Sequence, residues 1–178
     1  MALIPEDRKT EGLLLPMSVR DNLSFAALDR VAKAGVIDGA AETRRIDEMI
    51  RLLAIKTAGF DIPAGALSGG NQQKIVIAKW LMNQPRIILL NDPTRGIDVG
   101  TKQVIYQLLR KLAAGGAAIM CEATDYDELI GCCDRVLVMY DGGIRRELVG
   151  DEITEHALIA SALNVEEADV TQKQAARA

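Results

Sequence analysis

Apolar positions recur at helical spacing along two early stretches, "VRDNLSFAALDRVAKAG" (residues 19–35) and "AAETRRIDEMIRLLAIK" (residues 40–56), the second carrying Ile46, Met49, Ile50 and Leu53. A repeat of this kind lines one face of a helix, so helices are predicted to dominate up to about Thr57. "PEDRKTEG" (residues 5–12) is charged and patternless, and reads as a loop. Ser68 is suited to cap a further helix whose apolar face runs through Ile75, Ile77, Ala78, Leu81 and Met82 and which Pro85 ends. Residues 87–90, "IILL", form a short continuous apolar run and predict a fully buried strand.

Asp98 can cap the next helix, with Val104, Ile105, Leu108, Leu109 and Leu112 facing inward and Gly115 and Gly116 stopping it. A strand over residues 117–121 and a short helix over 125–132 follow. "RVLVMY" and "IRREL" around "DGG" (residues 141–143) predict a hairpin, and residues 153–163 a last helix. The closing "VEEADVTQKQAARA" lacks a sustained apolar face and is expected to be flexible. Strands alternating with helices imply a mainly parallel sheet with helices on its faces, the α/β class.

With 178 residues and 49% hydrophobic content, the chain can bury one sizeable core, so one compact domain is expected. A net charge of −4 provides no basic footprint, and nucleic acid is not an expected partner. The longest weakly polar runs, such as "LAAGGAAIMC" (residues 112–121), are too short to cross a bilayer, and no leader pattern opens the sequence, so a soluble cytoplasmic protein is expected. Three cysteines, two of them adjacent at Cys132 and Cys133, fit neither a disulfide framework nor a metal-ligand spacing, and the single histidine, His156, stands far along the chain. Reduced, mostly buried thiols are the expectation.

The chemistry-bearing stretch is "LSGGNQQK" (residues 67–74), followed one helix later by "IILLNDPTRGID" (residues 87–98). Ser68 stands where a helix begins, and Gly69 and Gly70 let backbone N–H groups approach an anion, which the helix dipole also favours. The same residues serve equally as an ordinary N-cap with a glycine-rich turn. No stretch reads G-x-x-x-x-G-K-(S/T), the loop that cradles phosphates.

Together these two stretches resemble the signature and Walker B regions of the ATP-binding cassette transporter ATPases. In order along the chain, "PEDRKTEGL", "SVRDNL", "LSGGNQQKIVIAKWL", "PTRGIDVGTK" and "DELIGCCDRVLVMYDGGI" are similar to pieces of the second cassette in the fused, two-cassette ATPases of bacterial sugar importers of the ribose, galactose and xylose type. The resemblance runs from Ala2 to about Asn164. It implies a P-loop NTPase-like α/β core, a mainly parallel sheet flanked by helices. Residues 1–164 would be the cassette domain, with a mainly helical subdomain over 13–66 that faces the membrane domains, a signature and Walker B core over 67–164, and a flexible tail over 165–178. In that family a Walker A loop and an antiparallel sheet precede the segment resembling "ALIPEDRK", so the chain is expected to lack that portion of a cassette and to be inactive alone.

The resemblance also implies roles. Ser68, Gly69, Gly70, Asn71 and Gln72 match the signature, which contacts the γ-phosphate of ATP held by the opposite cassette. Asp98 matches the aspartate of the loop that crosses the dimer interface, and Glu6 falls about where many cassettes have a glutamine that senses Mg²⁺ and the membrane domain. Three positions depart from the pattern: Asn91 stands at the Mg²⁺-organising aspartate, Asp92 at the general-base glutamate and Thr124 at the switch histidine. A neutral amide holds a cation less well than a carboxylate, and Asp is one methylene shorter than Glu, so no metal site is expected to be intact. Without the family, Asn91 and Asp92 read as a strand-end turn before Pro93.

What the resemblance implies is an ATPase subunit fragment of a carbohydrate importer, on the inner face of the cell membrane, that donates its signature to a composite ATP site. ATP and Mg²⁺ would be bound mainly by a partner cassette with an intact Walker A loop. Membrane domains and a periplasmic sugar-binding protein would be the further partners. Two other readings stay open. One is a non-catalytic interaction module or the remnant of a truncated gene, whose uncovered strands would present edges and apolar surface. The other is a soluble translation-associated cassette protein, against which "TRGID", "NQQK" and the acidic balance speak.

Overall fold

In the computed structural model, which describes residues 1–165, the chain opens on a strand, β1 (Ala2–Ile4), too short to show in the sequence pattern. Asp7 then caps a wide helical turn, Arg8–Gly12, its Oδ1 accepting the Lys9 and Thr10 N–H groups at 2.7 and 3.3 Å. "PEDRKTEG" is therefore partly helical rather than a loop. The Asp7 cap and the seat of Gly12, where a Cβ would lie 2.8 Å from Val76 Cγ2, account for it.

Helix α1 (Val19–Ser24) starts in a capping box between Ser18 and Asp21 and passes through a single turn, Phe25–Ala27, into α2 (Leu28–Val31). Here the helix expected to run to residue 35 ends, because strands β2 (Ala32–Lys33) and β3 (Val36–Ile37) form a two-residue hairpin. Its turn residues Ala34 and Gly35 both have positive φ, 50° and 80°, the mirror-image turn that matches strand twist. Asn22 is buried and knits this region together, donating to the Leu14 and Ser18 carbonyls at 3.0 and 2.9 Å and accepting from the Leu14 N–H at 2.8 Å.

Helix α3 (Gly39–Leu52), capped by Asp38, is followed by an irregular stretch and a single turn, Ala64–Ala66, before α4 (Gly69–Leu81). Strand β4 (Ile87–Asn91), helix α5 (Val99–Ala114) and strand β5 (Ala118–Glu122) complete a first compact unit, Met1–Glu122. Its sheet is parallel in the order β1-β4-β5, with Ile4 opposite Leu90 and Leu90 opposite Cys121. Ile4, Ile88 and Leu90 point into one core with Ile75, Val76 and Ile77 of α4 and Ile105 and Leu108 of α5.

Strand β4 is not fully buried, contrary to the expectation from its apolar run. Leu3, Ile87 and Met120, on the opposite face of the sheet, are 56%, 46% and 69% exposed. A strand is buried on both faces only where helices cover both, and here α4 and α5 pack on one.

The second unit, Ala123–Ala178, contains α6 (Tyr126–Cys132), β6 (Arg135–Tyr140), β7 (Gly143–Val149) and α7 (Glu155–Ala162). Strands β6 and β7 form the expected antiparallel hairpin, turning through Asp141 and Gly142 at φ 47° and 76°. Val136, Val138 and Leu148 pack with Ile153, Ala157 and Leu158 in a core of their own. The last helix starts two residues later than expected because Gly150–Glu152 forms a separate turn and Thr154 caps α7. Among the described residues the three cysteines form no disulfide, and they are half-buried rather than mostly buried. The flexible tail expected over residues 165–178 lies outside the described residues but for Val165. No helix among the described residues is long and apolar enough to cross a membrane.

Candidate functional site

The first turn of α4 carries the signature-like residues, and its chemistry starts from an unusual cap. Ser68 has the extended backbone of an N-cap, φ −62° and ψ 155°, yet its side chain accepts no hydrogen bond from the helix. At α3, α5 and α7 the capping side chains of Asp38, Asp98 and Thr154 do accept one. Instead Asn71 Nδ2 donates to Ser68 Oγ at 3.0 Å. The leading N–H groups of a helix have no partner within it, so this terminus keeps its partial positive charge facing outward.

Three side chains of the same turn and the next bind neighbouring backbone. Asn71 Oδ1 accepts the Lys56 N–H at 2.9 Å, and Lys74 Nζ donates to the Ala54 carbonyl at 3.1 Å. Gln72 is buried, and its Nε2 donates to the Leu67 carbonyl at 3.0 Å. Burial pushes the Lys74 ammonium pKa down, while the Asp98 carboxylate acts in the opposite direction. Ser68 itself is exposed, at the rim of an open depression of about 620 Å³ lined by Ile55, Lys56, Thr57, Leu67 and Asn71.

Gly70 brings the α4 terminus against the start of α5. A Cβ at Gly70 would stand 2.7 Å from Thr101 Oγ1 and 3.0 Å from Asp98 Oδ2, so only glycine allows this approach. Asp98 Oδ1 accepts the Thr101 N–H at 2.9 Å and Oδ2 the Thr101 hydroxyl at 2.8 Å. The Thr101 N–H and then its hydroxyl hold the Asp98 carboxyl below the usual carboxylate range.

Glu6 is ion-paired with Arg95 in the loop after β4. Arg8 reaches the same loop, its Nη1 3.5 Å from the Arg95 carbonyl, and its Nη2 lies 3.0 Å from where a Cβ of Gly69 would be. Glu6, Arg8, Gly69, Gly70 and Asp98 are thus linked through direct neighbours. Asn91 and Asp92 occupy the carboxyl end of β4, where Asn91 pairs with Glu122 and the Asp92 N–H donates to the Glu122 carbonyl at 2.8 Å. Asp92 is buried with φ 45°, a left-handed backbone that Asp tolerates better than most residues. Thr124 is an exposed bend residue of the second unit.

Sequence reasoning missed Arg8, Lys56 and Thr101. Lys56 takes part through its backbone N–H, so no side-chain signal marks it. Arg8 and Thr101 stand at Gly69 and Gly70 only through folding over long separations in sequence. Thr101, three residues after the helix-capping Asp98, was within reach of a capping argument.

Residues 2–95, more than half of the chain, match the family model described as ABC transporter. The chain belongs to that family. Among its relatives, the ribose import ATP-binding protein RbsA 1 of Mesorhizobium japonicum is 80% identical over 165 residues, covering 93% of this chain and 32% of that protein. The protein of the same name from Rhizobium etli is 75% identical over 165 residues, with the same coverage of 93% and 32%. The ribose import ATP-binding protein RbsA of Chelativorans sp. is 44% identical over 171 residues, covering 96% and 34%. The chain spans about a third of the length of these relatives.

Among solved structures, a dimeric ATP-binding cassette in a post-hydrolysis state bound to ADP and Pi superimposes with a TM-score of 0.70 at 24% identity, covering 83% of this chain and 61% of that one. A second ATP-binding cassette of an ABC transporter gives 0.72 at 21%, covering 91% and 67%. The α/β cassette fold that the sequence resemblance implied is therefore the observed one.

Proposed function

We propose that this chain works as part of the ATP-binding subunit of a carbohydrate importer, of the ribose class for which its relatives are named, and that it donates Ser68 and the α4 terminus to ATP held by a partner cassette. The observation that carries this reading is the freed cap: Ser68 Oγ takes its hydrogen bond from Asn71 and leaves the leading N–H groups of α4 uncapped by it. A γ-phosphate oxygen set against that terminus would receive backbone N–H groups, the Ser68 hydroxyl and the helix dipole together. Donors fixed in place before reaction stabilise the charge that shifts during phosphoryl transfer without reorganising. Gly70 and the Asp98–Thr101 pair set the position of this terminus relative to α5.

ATP would supply the transferable phosphoryl group, and Mg²⁺ would neutralise its oxygens. Asn91 offers a neutral amide, and among the described residues no three His, Cys, Asp or Glu side chains gather. With a neutral amide at Asn91, these residues do not fit a magnesium cage. In the proposal the phosphate-cradling loop, the metal and the base belong to the partner, with membrane domains and a sugar-binding protein completing the assembly.

The test is complementation. The chain alone is expected to show no ATP turnover and weak MgATP binding by calorimetry. Adding a cassette with an intact phosphate loop, itself inactive alone, is expected to restore hydrolysis in proportion to complex formed. Turnover by the purified chain alone, or none in a complex that demonstrably forms, would contradict the reading.

A further inference from the structure

We propose that Asn71 is a positioning residue that sets the direction of the Ser68 hydroxyl proton, using the Lys56 N–H as its reference point. This rests on the reading of Ser68 as a donor to a partner-held phosphate. The two ends of an Asn side chain differ in chemistry, one accepting and the other donating. The Lys56 backbone N–H is a donor without ambiguity, and the atom of Asn71 facing it at 2.9 Å must be the carbonyl Oδ1. That fixes the amide nitrogen on the other side, 3.0 Å from Ser68 Oγ. An –NH₂ group has no lone pair to offer, so Ser68 Oγ accepts there and its own proton must point elsewhere.

The consequence for an anion is direct. A lone serine hydroxyl rotates freely and can present lone pairs or its proton; held by Asn71, Ser68 keeps a lone pair engaged and its O–H available to an acceptor. Since Oγ accepts nothing from the α4 backbone, the hydroxyl is not held in the usual cap geometry either. The reference point is itself anchored, because Lys74, one turn further along α4, donates to the Ala54 carbonyl at 3.1 Å. Residues 71 and 74 share a face of the helix at i, i+3 spacing and grip the same short segment. The chain entering from α3 thereby sets the protonation geometry of the signature serine.

Two readouts on the full chain test this. Amide hydrogen exchange reports the reference bond with no nucleotide present: Asn71→Ala is expected to speed exchange at Lys56, while Asn71→Asp, which keeps an acceptor oxygen there, is expected to leave it protected. Unchanged exchange in Asn71→Ala would overturn the proposal.

The second readout is hydrolysis in complex with a cassette that carries the phosphate loop, in high salt to screen the added charge. In Asn71→Asp a carboxylate oxygen replaces the amide donor and draws the Ser68 proton to itself. Hydrolysis should then fall as far as in Ser68→Ala, roughly tenfold to more than a hundredfold. Combined with Ser68→Ala, the Asn71→Asp change should cost no more than about a further threefold, since its target hydroxyl is gone. Fully additive losses would overturn the proposal and leave Ser68 as the donor. A silent Ser68→Ala with normal exchange behaviour at Lys56 would overturn the donor reading, and the proposal with it.

Discussion

Gly70→Ala is the substitution that most sharply probes the packing of the α4 terminus on α5. The added methyl would sit 2.7 Å from Thr101 Oγ1, 3.0 Å from Asp98 Oδ2 and 3.4 Å from Thr101 Cβ. Non-bonded heavy atoms prefer roughly 3.5 Å or more, so Thr101 must retreat by more than half an ångström or the two helices must part. Both oxygens belong to the pair that caps α5, so retreat also loosens that cap. Overpacking of this kind costs about 1–3 kcal/mol, and Ala recovers about 1 kcal/mol of helix propensity over Gly, leaving a net loss of about 0–2 kcal/mol.

Gly39→Ala is the matched control, because nothing lies within 4 Å of the Cβ it would add at the start of α3. It is expected to be neutral or to stabilise by about 0.4–1 kcal/mol through the unfolded chain. The assay is urea unfolding followed by the fluorescence of Trp80, the single tryptophan, which stands in α4 and so reports the first unit. A probe confined to one unit avoids averaging two transitions. If Gly70→Ala proved as stable as Gly39→Ala, the close contact of Gly70 with Asp98 and Thr101 would be wrong.

The cap carboxylates give a pH prediction: Asp7, Asp38 and Asp98 are held below the usual range chiefly by the backbone N–H groups of Lys9, Ala41 and Thr101. Their unfolded forms take up protons first, so their stabilisation is fully present above the ordinary carboxylate pKa and is lost as pH falls through it toward their folded values. Urea midpoints should decline across that window, and Asp98→Asn, an equally good cap that does not titrate, should flatten the decline; an identical pH profile would refute the role of Asp98. The open sheet face bearing Leu3, Ile87 and Met120 predicts that the isolated chain binds a hydrophobic dye or self-associates, and that Met120→Lys weakens both. Sedimentation showing a dye-silent monomer would refute this.

Much of the α/β order was legible because it rests on local chemistry. The Asp98 cap, the apolar face of α5 and the Asp141–Gly142 turn each need only a few adjacent residues. The β2–β3 hairpin was not, since it turns on Ala34 in a left-handed conformation where no Asn or Asp announces it. Strand β1 is three residues long and exists through its pairing with β4, 86 residues away (Ala2 opposite Ile88), in a contact no period reveals. Ser68 was correctly placed at the start of α4. That its hydroxyl serves Asn71 instead of the helix depends on the Lys56 N–H, a tertiary fact absent from any local pattern.

The central claim is that this chain contributes the serine half of a composite site and not its base. It is tested most directly by steady-state phosphate release from the chain complexed with a phosphate-loop cassette, comparing Ser68→Ala with Asp92→Asn. The second change removes the carboxylate and keeps a side chain that tolerates the left-handed backbone at φ 45°. Loss of a hydrogen bond to a charged phosphate, worth about 1.5–3 kcal/mol, predicts a fall of roughly tenfold to more than a hundredfold for Ser68→Ala. Asp92→Asn is expected to change the rate by less than about threefold, because no nucleotide is positioned for it to act on. Equal losses from the two substitutions would contradict the account.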